Sequence, residues 1–345
     1  MKSVLLKNGP EGKGLNAAVS DVEVPSIGEG ELLVEMRACG LCGTDMEKLR
    51  GEYTAAMPVL GHEAVGVVKR IGGRAGDIGV GDRIFPHHHV PCLSCYYCRK
   101  GNETMCDRYK TSNLDPGGFS EYFRVPEWNV SHGGVLKLPD RLSFEEASLI
   151  EPVACCMRAL ERCEVQGDET ALVVGAGPVG MAHALLLTSM RAKVMVSDVS
   201  EDRLRFAGAV SAGTVLDAGK KDVPEEVRAR TEGRGADLAI AASGSQRAIV
   251  QALRSVRKGG KVCIFGVPPK GSVLEYDISD PYNSEVTILS SYGASDSDTA
   301  NALRLVASRR VDFGALITHR FTIGEFNDAV EAAASGKAMK VVITP

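Results

Sequence analysis

The rhythm of apolar positions changes near the middle of the chain. From Glu169 onward, continuous apolar blocks alternate with helix-like segments. ALVVGAG (171–177), KVMVSD (193–198), ADLAIAASG (236–244) and KVCIFG (261–266) read as buried strands. MAHALLLTSM (181–190), EDRLRFAGAV (201–210) and QRAIVQALRSV (246–256) read as the helices that cross between them. Strands buried on both faces and joined by helices are parallel, so this half predicts a doubly wound α/β sheet. The first 150 or so residues read differently. ELLVEMRACG (31–40), EAVGVVKRIG (63–72) and DRIFPHHHV (82–90) are short β-prone runs broken by Gly-rich turns such as GVGDR (79–83). They predict an irregular, barrel-like β domain. Between the two, SFEEASLIEPVACCMRALERC (143–163) turns helical, with Ser143 and Glu146 spaced as a capping box. After Ser290 the alternation stops. Helical stretches at 298–308 and 323–334 precede a last strand, KVVIT (340–344).

A length of 345 residues exceeds what one hydrophobic core usually serves and supports two domains. The boundaries predicted are 1–153 with 293–345 for the β-rich domain and 154–292 for the α/β domain. A net charge of −4 argues against nucleic acid as a partner. No apolar run reaches the ~20 residues that span a bilayer, and the first residues lack the pattern of a secretory signal. A membrane is therefore not an expected partner, and a reducing, cytoplasmic setting is expected. Ten cysteines are many, but their clustering favours metal over disulfides. The adjacent Cys155 and Cys156 read as buried structural thiols.

Four of those cysteines form the set Cys92, Cys95, Cys98 and Cys106 in PCLSCYYCRKGNETMC. The spacing suits a tetrahedral zinc ion with no open coordination position, which is structural and not catalytic. A second motif, GAGPVG, sets Gly175, Gly177 and Gly180 between a strand and a helix, with Pro178 and Val179 opening that helix. Glycines there allow a tight turn and close approach of a pyrophosphate, which the helix N-terminus attracts. Asp198 ends the next strand, where a carboxylate accepts from ribose hydroxyls and repels a 2′-phosphate, so NAD(H) is favoured over NADP(H). Arg203 and Arg205 follow and read as a solvated helix face, with Arg203 the alternative phosphate contact. The third constellation is CGLCGTD (39–45) with GHEAVG (61–66). One cysteine, His62 and a carboxylate from Glu63 or Glu151 would leave a zinc ion one open position for an alcohol. A dithiol pair at Cys39 and Cys42 competes, but the glycine-rich surroundings suggest no helix N-terminus to activate it. His87, His88 and His89 look metal-binding, yet strand alternation forbids three consecutive side chains on one ion, so at least two read as surface or packing residues, with room for one near the cleft.

Together these segments, with GGFSEY (117–122), LIEPVACC (149–156) and SGKAMKVVIT (335–344), resemble the zinc-dependent medium-chain dehydrogenase/reductase family, in particular its sorbitol- and threonine-dehydrogenase-like branch. The resemblance spans nearly the whole chain. It implies a GroES-like catalytic domain interrupted by a Rossmann domain, two zinc ions per chain and a homo-oligomer, either dimer or tetramer. It also implies that Cys42 rather than Cys39 binds the catalytic zinc, with His62 and with Glu63 or Glu151. By the same resemblance Thr44 receives the substrate proton, Asp45 orients the zinc histidine and Lys340 stands near the pyrophosphate. Glu47 occupies a position where some members have a relay histidine. Substrate pockets in such proteins come from loops like 46–58 and 109–118. The implied activity is oxidation of a secondary alcohol of a polyol, sugar or related polar molecule to a ketone. Aldehyde or ketone reduction and a threonine-type reaction are the enzymatic alternatives, and a dinucleotide-binding sensor is the non-enzymatic one.

Overall fold

One strand organises the first half of the protein. Leu32–Leu41 pairs along one edge with Glu63–Ile71 and along the other with Tyr122–Val125 and Lys340–Thr344. Tyr122–Val125 takes its first part (Leu32 to Glu35) and Lys340–Thr344 its last (Cys39 to Leu41), so segments far apart in sequence meet on one strand. The sheet continues from Glu63–Ile71 through Arg83–Pro86 to Val135–Lys137, and from Lys340–Thr344 to Ile317–Thr322. Its pairings are antiparallel except the last, between Ile317–Thr322 and Lys340–Thr344, which is parallel. Lys2–Asn8 and Leu15–Asp21 form a separate hairpin. The core under this sheet gathers Leu32, Val34, Met36, Phe119, Phe123 and Phe326, and the Phe119 and Phe326 rings meet at 5.2 Å.

The computed structural model describes residues 1–8, 15–51, 59–210 and 213–345. They divide into two compact units, one of Met1–Ala154, Gly293–Arg309 and Ile317–Pro345, the other of Cys155–Tyr292 and Arg310–Leu316. Part of the expected pocket loop 46–58, residues 52–58, lies outside the described residues.

The second unit is built on a parallel sheet whose order is Thr214–Asp217, Lys193–Asp198, Thr170–Val174, Ala236–Ala241, Val256–Ile264, Thr287–Ser290. In chain order that is 3-2-1-4-5-6, the doubly wound arrangement of dinucleotide-binding folds. The GroES-like plus Rossmann architecture expected from the sequence is therefore the observed one. All four strands read from apolar blocks are present. The two outermost were not legible. Thr214–Asp217 is only four residues long, and Thr287–Ser290 is largely exposed, so neither carries a continuous apolar block. A helix at Val223–Ala229 was missed as well, although Asp222 caps it by accepting from the Glu225 N–H at 3.0 Å.

Helix starts behave as local chemistry dictates. The capping box at Ser143 and Glu146 forms, with reciprocal bonds of 3.0 and 3.1 Å. A second one at Ser295 and Asp298 starts its helix at Asp296, two residues before the expected 298. The stretch expected as a helix over 323–334 is split, with a short 3₁₀ turn (Ile323–Glu325) preceding the α-helix Phe326–Ala334.

Candidate functional site

The motif CGLCGTD is where a strand ends and a helix begins. Leu32–Leu41 stops, Cys42 takes the N-cap position, and Gly43–Arg50 is helical. This corrects the expectation that no helix N-terminus lies beside these cysteines. Cys42 caps an eight-residue helix, whose end favours negative charge. Asp45, three residues on, accepts from the Cys42 N–H at 3.1 Å and from the Gly61 N–H at 3.1 Å. One fully buried carboxylate thus ties the first motif to the second. His62 follows Gly61, and its Nδ1 lies 3.5 Å from Asp45 Oδ1.

The Cys42 sulfur, a His62 ring nitrogen and a Glu63 carboxylate oxygen lie within 4.8 Å of one another. Such a mixed sulfur, nitrogen and oxygen set suits zinc, and three protein donors leave a position for a further ligand. Cys39 is outside the set. It is fully buried, and burial, then the charges of Asp45 and Glu63, push its thiol well above the usual value. A protonated, enclosed thiol does not serve as half of a reactive dithiol. Burial alone would raise the Asp45 carboxyl, but the His62 charge and hydrogen bond, with Lys48 and the Gly61 N–H, bring it below the carboxylate range. Burial pulls His62 down, yet the charges of Asp45 and Cys42 outweigh it and hold the ring well above its ordinary value. The local field therefore stabilises positive charge, as a cation site requires.

Glu63 is fully buried and ion-paired with Lys340, which is 3 % exposed and also donates to the Leu41 carbonyl at 3.2 Å. The ammonium that the family resemblance sets near a pyrophosphate thus has a carboxylate as its direct partner here. Burial depresses Lys340, but the charge of Glu63 outweighs it and keeps the lysine charged. The pair fits because Gly40 lies opposite Glu63 in register and carries no side chain. A Cβ on Gly40 would stand 1.8 Å from Glu63 Oε2 and 2.7 Å from Lys340 Cε. Glu151 is 7 % exposed and near enough for its charge to act on Glu63 and Lys340, but it is not in the three-donor set. Thr44 is half-buried in the first turn of the helix that Cys42 caps.

The three histidines pack against one another, as expected of at least two of them, but strand alternation is not the reason. The strand ends at Pro86, so alternation no longer governs residues 87–89. His87 and His88 are buried, at 0 and 8 % exposure, and His89 is half-buried. His87 Nδ1 is 3.0 Å from Asp296 Oδ1, and His89 Nδ1 is 3.1 Å from the Ser112 carbonyl. The His88 ring lies 5.0 Å from the His62 ring. Burial, helped by neighbouring positive charge, holds His88 well below its usual value and His89 down at about 3. The sequence did not say which of the three would be the neighbour of His62.

In the cysteine lobe, the sulfurs of Cys92, Cys95, Cys98 and Cys106 all lie within 4.8 Å of one another. Cys95–Cys98 and Cys92–Cys106 are each 3.5 Å apart. A tetrahedron with metal–sulfur bonds of ~2.3 Å has edges of about 3.8 Å, so the lobe nearly has the shape of a zinc cage. Backbone N–H groups already point at the sulfurs, Cys95 N–H to Cys92 at 3.3 Å and Cys92 N–H to Cys106 at 3.4 Å. The Ser94 backbone and hydroxyl draw the Cys92 thiol down to about 6. All ten cysteines are free thiols, so disulfides do not pin this fold.

In the second unit, the glycine turn follows Thr170–Val174 and leads into the helix Pro178–Ser189, with Gly177 at its N-cap and Pro178 and Val179 in its first turn. Gly175 has φ +106°, a left-handed value suited to glycine, and a Cβ on Gly180 would stand 1.8 Å from the Gly175 carbonyl oxygen. Asp198 accepts from the Ala176 N–H at 2.7 Å through one oxygen and from Val199 and Ser200 N–H at 2.7 and 2.9 Å through the other. The two arginines separate. Arg205 pairs with Asp202 on an exposed helix face as expected. Arg203 turns inward, with Nη1 3.7 Å from Asp198 Oδ2 and 3.9 Å from where a Gly177 Cβ would stand. Sequence reasoning missed His183, fully buried on the helix after the turn, edge-on to Phe265 at 4.5 Å and held neutral by burial.

Residues 28–140 match the family model described as the alcohol dehydrogenase GroES-like domain, and residues 178–308 match that of zinc-binding dehydrogenases. The chain is 30% identical to a sorbitol dehydrogenase of Bacillus subtilis, over 100% of this chain and 97% of that protein. It is 29% identical to an L-threonine 3-dehydrogenase of Aeromonas salmonicida, over 94% of this chain and 95% of the relative. Among solved structures, a protein of Sinorhizobium meliloti described as a zinc-binding dehydrogenase and bound to NADP superposes with a TM-score of 0.87 at 28% identity, covering 100% of this chain and 99% of that one.

Gly40→Ala should destabilise the first unit by about 1–3 kcal/mol, because the added methyl overlaps a buried ion pair that cannot move into solvent. Denaturant unfolding measures this, and an unchanged midpoint would show that Glu63 and Lys340 do not meet over residue 40.

Proposed function

The chain belongs to the zinc-dependent medium-chain dehydrogenase/reductase family, and on that premise we propose that it oxidises a secondary alcohol of a polyol, sugar or related polar molecule to a ketone with NAD⁺. The observation that carries this reading is the convergence of Cys42, His62 and Glu63 donor atoms within 4.8 Å. Bound NAD⁺ would supply the hydride acceptor, so that one alcohol and one NAD⁺ would give one ketone, one NADH and one proton. Cys42, His62 and Glu63 would hold a zinc ion, which would supply the Lewis acidity that makes a hydroxyl a stronger acid.

The residues have separable tasks in this reading. Asp45 holds the His62 ring from behind while its other oxygen fixes the backbone of Cys42, so ligand positions are set before a metal arrives. Thr44 receives the hydroxyl proton. Lys340 balances the charge of Glu63 and keeps it oriented. Glu151 supplies a further negative charge close to that pair. The Gly175–Gly180 turn takes the pyrophosphate and Asp198 the adenosine ribose, which favours NAD(H), with Arg203 beside it as the cationic group nearest the phosphates. A zinc ion in the lobe of Cys92, Cys95, Cys98 and Cys106 is structural. Because the L-threonine 3-dehydrogenase relatives are as similar as the sorbitol dehydrogenases, a hydroxy amino acid is the second substrate reading.

No helix among the described residues is long and apolar enough to cross a membrane, and a cytoplasmic enzyme is the reading adopted. A homo-oligomer is favoured by the outermost strand of the parallel sheet, Thr287–Ser290. Around it Ile288, Ile278 and Tyr282 are 43, 72 and 82 % exposed. An open strand edge flanked by exposed apolar side chains invites a second copy.

Metal analysis of the purified protein should give two zinc ions per chain, falling to one in Cys42→Ser and, separately, to one in Cys98→Ser. Cys42→Ser should lose at least a thousandfold in turnover while still binding NADH, because the nucleotide turn is untouched; full turnover in that variant would end the zinc mechanism. Fluorescence titration should show tighter binding of NADH than of NADPH. The reverse order would assign Arg203, and not Asp198, the control of cofactor choice.

A further inference from the structure

The strand Lys193–Asp198 ends as a clamp on the glycine turn. The Ser197 carbonyl accepts from the Gly175 N–H at 2.7 Å, and one Asp198 carboxylate oxygen accepts from the Ala176 N–H at 2.7 Å. The Asp198 carbonyl also accepts from the Ala218 N–H at 2.9 Å, just past the neighbouring strand Thr214–Asp217. Two consecutive residues therefore hold the first two N–H groups of the turn, and a shift of this strand end moves both.

A side-chain tether reaches that strand end from the other face of the sheet. Successive side chains of a strand point to opposite faces, so Ser197 points away from the face on which Asp198 meets the turn. The Ser197 side chain is fully buried, and its hydroxyl accepts from the Gln251 amide nitrogen at 2.7 Å. Gln251 is half-buried on the helix Gln246–Ser255, whose buried residues include Ile249, Ala252 and Leu253. An apolar residue at 251 would suit that packing and would leave the hydroxyl unpaired in the interior, which is costly. The ladder of this strand to its two neighbours is made by backbone groups and needs no amide. Ser197 lies opposite Val174, the last strand residue before the turn, so the tether acts where the ladder gives way to the turn.

We infer that Gln251 is a positioning residue for the cofactor site: through the Ser197 hydroxyl it fixes the strand end, and with it the Asp198 carboxylate and the turn at Gly175 and Ala176, for the adenosine half of a dinucleotide. The inference rests on the dinucleotide reading above and deepens it. In this role Gln251 acts through the strand and touches no cofactor.

The test removes the same hydrogen bond from each end. Gln251→Met keeps the length of the side chain and loses the donor, and Ser197→Ala loses the acceptor. Full-length wild type, the two single variants and the double variant are titrated with NADH and with ADP-ribose, which lacks the nicotinamide. Each single variant should bind both ligands about fivefold more weakly. The double variant should match the single ones within about twofold, because one bond is lost only once. Hydrogen exchange of the cofactor-free protein gives a second readout: the peptide carrying the Gly175 and Ala176 N–H groups should exchange about fivefold faster in each variant. Affinity and exchange both within about twofold of wild type in the two single variants, whether or not the melting temperature falls, would overturn the inference. Weaker NADH binding with wild-type exchange at the turn would overturn it too, since Gln251 would then be a direct contact. If wild type binds neither NADH nor ADP-ribose, the dinucleotide reading fails, while exchange at the turn still decides whether Gln251 holds it.

Discussion

Buried charge at the head of one β-strand is the constraint on which the first unit turns. Asp45, Glu63 and Lys340 are nearly or wholly removed from solvent, and His62 lies among them. Each alone would be costly in that place, and removing one partner of such a set leaves another uncompensated. They are tolerable because they meet one another and the backbone. Asp45 faces His62 and two N–H groups, while Glu63 faces Lys340. The arrangement is negative enough to raise His62 and to keep Lys340 charged, which is the field a divalent cation needs. The same charges that complicate folding thus surround a donor set whose composition fits a metal.

The backbone serves that cluster in specific ways. The long strand Leu32–Leu41 binds three other strands, and its last residues bring Gly40 between Glu63 and the C-terminal strand. Glycine at 40 is the notch in which the ion pair sits. The chain then turns at Cys42 into a helix whose first turn holds Thr44 and Asp45, so the thiol, the hydroxyl and the carboxylate arrive from one short element. The second unit uses a similar economy. Its first strand ends in a left-handed glycine, and its next strand ends in Asp198, whose carboxylate knits that turn to the following helix through three backbone N–H groups.

The cysteine lobe works on a different principle. Its ligands lie within fifteen residues, so the cage is local and its sulfurs assemble with little help from the core. That is why spacing alone made it readable, whereas the mixed donor set needed two motifs with a strand partner between them. In the histidine run the expected packing forms for a different reason. Alternation applies to a strand, the strand ends at Pro86, and the next three rings pack on one another instead.

The sequence by itself determined the two-unit plan, the parallel sheet, the glycine turn with Asp198 and the four-cysteine lobe. Each of these is encoded over a short stretch, as an apolar block, a turn glycine or a ligand spacing. It also named Cys42 and His62, through resemblance and residue chemistry, and left the carboxylate open between Glu63 and Glu151. Only the tertiary structure decided that Lys340 faces Glu63, that Arg203 turns inward while Arg205 does not, and that His88 lies against His62. Lys340 and Glu63 are 277 positions apart, and His88 and His62 26 apart. Strand register and ring packing bring them together, and no local pattern of residues records either.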